Sequence, residues 1–177
     1  MSEVDAAAGA VARAREAVGR AVRALAEASA RTETLGEYAP GRRVLGIPRA
    51  ARMTPIAPVW RLGVLLLDAE GRLYATGRVI RAERAARRSI TAESVAEQRA
   101  YRAAAITGGI AEGETVDFDA HPIPLDVEAL AAASGPLVLG DDGVLVRWNA
   151  SLPDALTPLE AYLSERVDLL IHPPQGA

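Results

Sequence analysis

The apolar period switches along this chain between helical and strand spacing, and those switches limit what it can fold into. Val4, Val11, Val18 and Leu25 recur every seven residues, with Ala8 and Val22 on the same stripe. The spacing predicts one helix from residue 3 to about 31, interrupted on its stripe by Arg15 and weakened by Gly9 and Gly19 at about 1 kcal/mol each. A helix of that length crosses a globule of this size, so its small-residue stripe needs a wide surface, and a second subunit is a natural supplier. Past residue 60 the period falls to two. Leu62, Val64 and Leu66 alternate with Leu65 and Leu67 in a strand that reads as buried on both faces. Asp68-Ala69-Glu70-Gly71 is a turn, and Leu73, Ala75, Gly77 and Val79 then share one face. A second hairpin follows the same logic, with Leu137 to Leu139, the turn Gly140-Asp141-Asp142-Gly143, and Val144, Val146 and Trp148 on one face.

Between these regions the chain is punctuated. Pro40, Pro48, Pro55 and Pro58, with Gly36, Gly41 and Gly46, rule out a long helix over residues 36–58. Arg42, Arg43, Arg49 and Arg52 make that stretch basic, and it reads as an extended arm lying on the body or on a partner. Further helices are expected from Thr91 to about Thr107 with Gly108 as the stop, and from Asp126 to Gly135. The last helix opens on a capping box at Thr157-Pro158-Leu159-Glu160, with Leu159, Tyr162, Leu163, Val167 and Leu170 as its apolar face. The expected class is α+β: an antiparallel sheet built from two hairpins and an additional strand near Thr115–Phe118, packed with helices and preceded by the long N-terminal helix. The divisions are 1–35 for that helix, 36–58 for the arm and 59–177 for the α+β body.

Composition removes several chemistries. All 20 basic residues are arginine, so no Schiff-base or phosphate-loop lysine exists. Cysteine is absent too, which excludes thiolate nucleophiles and zinc–sulfur sites. Two histidines, His121 and His172, cannot make a three-histidine metal centre. No Gly-x-Ser-x-Gly elbow accompanies the serines. The densest apolar run, Leu62 to Leu67, is too short to span a bilayer, and the charged N-terminus has no apolar signal region, so a cytoplasmic location without membrane attachment is expected. Residues 1–102 carry 18 arginines and 11 acids, whereas residues 103–177 carry 2 arginines and 12 acids. That split suits either a basic surface for an anionic partner or two halves that face each other, within one chain or between two.

Two local patterns could carry chemistry. Arg87 and Arg88 precede Thr91 at a helix start, where free backbone N–H groups and bidentate guanidinium groups suit a small anion; simple capping by Thr91 serves equally. Asp117, Asp119 and His121 would share one face of a continuous strand and present two carboxylates and an imidazole to a metal, against the plainer reading of an exposed acidic strand. A pI near 5.5 and little aromatic interleaving argue against a nucleic-acid partner, despite the arginines between Arg78 and Arg102. No cofactor motif is present, and the expected cofactor is none.

The run from Val59 to Ile80, the stretch Thr91 to Phe118 with Gly113-Glu114-Thr115-Val116, the triplet Val146-Arg147-Trp148 and the segment Pro158-Leu159-Glu160-Ala161-Tyr162-Leu163 together resemble a family of small actinobacterial proteins that carry the label glutaminase. The resemblance covers most of the chain after about residue 40 and implies hydrolysis of glutamine to glutamate and ammonia. The serine–lysine, cysteine–histidine and threonine–lysine–aspartate mechanisms of such enzymes all lack residues here. The resemblance therefore transfers no catalytic residue. The expectation is a non-enzymatic interaction or scaffold protein, homo-oligomeric through its N-terminal helix. The alternative is an enzyme or sensor for a small anionic ligand such as an amino acid.

Overall fold

The computed structural model describes residues 3–44, 46–84, 93–132, 134–149, 151–152 and 154–174. In chain order its elements are α1 (Glu3–Glu27), β1 (Glu33–Ala39), β2 (Arg42–Val44), β3 (Ile47–Arg49), β4 (Arg52–Leu62), β5 (Leu65–Asp68), β6 (Leu73–Ala75) and β7 (Arg78–Arg81). There follow α2 (Glu93–Gly108), β8 (Thr115–Phe118), β9 (His121–Ile123), α3 (Val127–Ala131), β10 (Leu137–Leu139), β11 (Val144–Arg147), β12 (Leu156–Pro158) and α4 (Leu159–Ile171). The class is α+β, with mixed sheets. Two compact units share the chain, one formed by Met1–Thr32, Trp60–Ala75 and His121–Ala177, the other by Glu33–Val59 and Thr76–Ala120.

In the first unit, α1 buries Val11, Ala14, Ala17, Val18, Ala21 and Leu25. The heptad stripe is thus covered within the chain, largely by the Leu159, Tyr162, Leu163 and Val167 face of α4. Alanines at the crossing let the two helices approach closely. Val4, at the start of the stripe, stays 73% exposed. Arg15 interrupts the stripe because its guanidinium is used elsewhere: Nε and Nη2 both donate to the Leu125 carbonyl, at 3.0 and 2.5 Å. Leu65, Leu66 and Leu67 of β5 are fully buried, as a strand covered on both faces requires. The run 62–67 is nevertheless not one strand. β4 ends at Leu62, Gly63 turns the chain at φ 64°, and β5 begins at Leu65. The Tyr162 hydroxyl locks this turn by accepting from Val64 N and donating to Leu62 O, each at 3.0 Å.

The second expected hairpin forms, with Leu137 opposite Val146 and Leu139 opposite Val144. It does not join the first. Its neighbour is β12, in a separate three-stranded sheet ordered β10-β11-β12. Thr157 is drawn into β12 opposite Val146, so the capping box does not form, and Pro158 precedes α4 with no side-chain cap. Asp126 does cap α3, accepting from Ala129 N at 2.7 Å.

In the second unit the proline-rich stretch is strand. β1 lies between β4, antiparallel, and β8, parallel, and β7 closes the order β7-β8-β1-β4. Gly36 sits at a bulge where an added Cβ would meet Met53 at 2.9 Å. The strand expected to run through residue 79 breaks at Gly77, whose missing Cβ leaves room for the Phe118 and Asp119 carbonyls. α2 packs through Ala104 and Ala105 on a small core of Met53, Ile80, Val116 and Phe118. Its last residue, Gly108, passes so close to the Met53 carbonyl that no side chain fits there.

Candidate interaction surface

Arg87, Arg88 and Thr91, the expected anion-binding group, lie outside the described residues. The metal pattern rested on a continuous strand over 117–121, and the chain does not provide one. β8 ends at Phe118, and Asp119 adopts a left-handed φ of 54°, which ends the alternation that would have aligned the three side chains. Asp117 is fully buried in β8. His121 is exposed and starts β9 opposite Ala75. Among the described residues, no group of three or more histidines or acids is placed to hold a metal ion.

Two polar clusters absent from the sequence reading are closed circuits. Asp68 is fully buried, and its Oδ1 accepts from Glu70 N and Arg72 N at 3.1 and 2.8 Å. Its Oδ2 accepts from Arg72 Nε at 2.6 Å and from the Tyr74 hydroxyl at 3.2 Å. The hydrogen bond to Asp68 holds the Arg72 guanidinium above its ordinary pKa, and burial raises Tyr74. In the second unit, Arg78 Nη1 donates to Glu97 Oε1 at 3.1 Å and to the Tyr101 hydroxyl at 2.8 Å, while that hydroxyl donates to Glu97 at 2.6 Å. Asp119 closes the cluster from 3.6 Å, and Tyr101 packs edge-on against Tyr38. The Tyr101 hydrogen bond, then the Arg78 one, holds Glu97 below the usual carboxylate range, and the same Glu97 contact raises Tyr101. The signal in the sequence was Glu97 four residues before Tyr101 on a helix.

Other arginines are spent in the same way. Arg20 pairs with Glu160, Arg84 with Glu112 and Arg102 with Glu83, at 2.5, 3.1 and 2.8 Å. The first two join the basic half of the sequence to the acidic half within one chain.

The two-stranded ribbon β2–β3 carries arginines of a different kind. Gly46, at φ 81°, makes its turn. The register sets Arg42 opposite Arg49 and Arg43 opposite Pro48. Arg42, Arg43, Arg49 and nearby Arg52 are all exposed, and among the described residues none has an ion-pair or hydrogen-bond partner. Like charges directly across a ladder destabilise it, because Cβ atoms there are only about 5 Å apart. A ribbon that keeps this pairing carries a local cost, and Ile47 beside it is 67% exposed. Exposed guanidinium groups can take carboxylates in paired, charge-assisted hydrogen bonds.

A groove of about 540 Å³ lies in the first unit, lined by Arg15, Val18, Glu70, Arg72, Tyr74 and Pro122 to Asp126 among others. Comparison with family models, with curated proteins and with solved structures found no match.

Proposed function

We propose that this chain is a non-enzymatic interaction domain that holds an acidic protein surface on its β2–β3 ribbon. The observation that carries the reading is the cross-strand pair Arg42–Arg49, exposed and without a counter-charge among the described residues. Stability alone disfavours such a pair, whereas binding of carboxylates accounts for it. The test separates the two effects within one variant. Arg42→Glu places opposite charges across the ladder, so the free protein keeps or raises its Tm, while affinity for a poly-glutamate probe falls at least about tenfold in low salt. Unchanged poly-glutamate affinity in that variant would remove the reading.

A second reading is an enzyme or sensor for a small anionic ligand such as an amino acid. It is favoured by the groove flanked by Arg15 and Arg72 and by the family resemblance. A thermal-shift titration with glutamate, run beside an ammonia-release assay on glutamine, tests it. Ammonia release above a heat-treated control would establish the activity that the family label implies.

A further inference from the structure

The ribbon's occupant can be specified further, on the premise that the ribbon is a binding element. Residues 40–58 hold the three ribbon arginines, Arg52 and no acid, and the chain as a whole carries −3; taking that segment's +4 from −3 leaves −7 on the rest. Every other copy of this chain is therefore an acidic partner, already present at the same concentration. The first unit also displays a matching element. The β10–β11 turn, Gly140-Asp141-Asp142-Gly143, exposes two adjacent aspartates whose carboxylates have no ion-pair partner among the described residues. Arg13 touches this turn at the Asp142 backbone carbonyl, at 3.0 Å, and not at a carboxylate. The turn thus presents a pair of carboxylates, and the ribbon presents a cross-strand pair of guanidinium groups, with Ile47 for apolar contact.

We propose that the β2–β3 ribbon of one copy docks on the Asp141–Asp142 turn of a second copy, so that the chain self-associates through opposite charge. The assembly is concentration-dependent and weakens with salt, since exposed charge pairs are screened within about 10 Å at 0.1 M.

Charge exchange tests this on the full chain. Wild type at about 50 μM in low salt should show at least twice its 18.6 kDa monomer mass by light scattering, falling to the monomer near 0.5 M NaCl. Arg42→Glu with Arg49→Glu should be monomeric in low salt, and so should Asp141→Arg with Asp142→Arg, each keeping the wild-type far-ultraviolet spectrum. Mixing the two variants restores opposite charges at both contacts and should restore the larger species. Wild-type-like association of either variant, or failure of the mixture to associate, overturns the docking. A monomeric wild type that still binds poly-glutamate overturns self-association and leaves the interaction reading standing; a monomer that binds neither overturns both.

Discussion

The turn at Gly63 allows a quantitative test of how α4 is fixed to the strands beneath it. Tyr162 is 2% exposed, and its hydroxyl satisfies Leu62 O and Val64 N on either side of that glycine. Tyr162→Phe leaves both backbone groups without a partner, at a cost of about 2–3 kcal/mol. Gly63→Ala meets two penalties. The left-handed φ of 64° costs about 1–2 kcal/mol for a residue with a Cβ. That Cβ would also lie on the Tyr162 hydroxyl, with the ring carbon behind it at 3.4 Å, so the hydroxyl must leave and the same two hydrogen bonds go with it. The single substitution should then cost about 3–5 kcal/mol. In the Tyr162→Phe background the clash is gone, since 3.4 Å is ordinary contact, and Gly63→Ala adds only the backbone penalty. The double mutant should thus be about 2 kcal/mol more stable than additivity predicts. Urea unfolding followed by tryptophan fluorescence reads this directly, because Trp60 and Trp148 both belong to the first unit. Additivity within about 0.5 kcal/mol would refute the lock.

Other expectations follow from the same geometry. Gly108→Ala drives a methyl into the Met53 carbonyl and should cost more than about 3 kcal/mol in the second unit, measured by hydrogen exchange of α2 amides. Asp68→Ala strips acceptors from two backbone amides, Arg72 and Tyr74 around a fully buried site, and should destabilise the first unit by about 2–4 kcal/mol in urea unfolding. Glu97 is held below its ordinary pKa by Tyr101 and Arg78, so its contribution is present above the unfolded-state value and is lost as pH falls through the lower folded value. Tyr101 is raised, so its contribution is present below its unfolded value near 10 and is lost as pH climbs toward the folded one. Thermal melts of Glu97→Gln between about pH 3 and 11 should lose both slopes, and an unchanged acid limb would count against the Glu97 assignment.

Periodicity made the class legible, because α1, the β10–β11 hairpin and the apolar face of α4 each owe their form to local spacing. What it missed depended on partners distant in sequence. Thr157 carries every local feature of a helix cap, yet its backbone is taken by Val146 across the β11–β12 ladder. Asp117, Asp119 and His121 alternate on paper, but the carbonyls packed on Gly77 and the left-handed turn at Asp119 redirect the chain. The parallel pairing of β1 with β8 joins residues some 80 positions apart, and nothing near either strand encodes it. The arginine-rich arm was visible as composition. Its arrangement required the register, since only the pairing of Arg42 with Arg49 sets two of those charges against each other across a ribbon.

The interleaving of the two units has a practical corollary. The polypeptide passes from one to the other at Thr32, Val59, Ala75 and Ala120, and β4 itself contains one of these crossings. Neither unit is a segment that a single pair of cuts could release. A fragment ending before residue 120 would lack α4, which covers α1, and one beginning after residue 60 would lack β1 and most of β4. Deletion mapping would register a lost partner wherever the cut fell, so a binding surface on this chain must be sought by point substitution. Long-range closure of this kind also places the chain among the slower folders for its length.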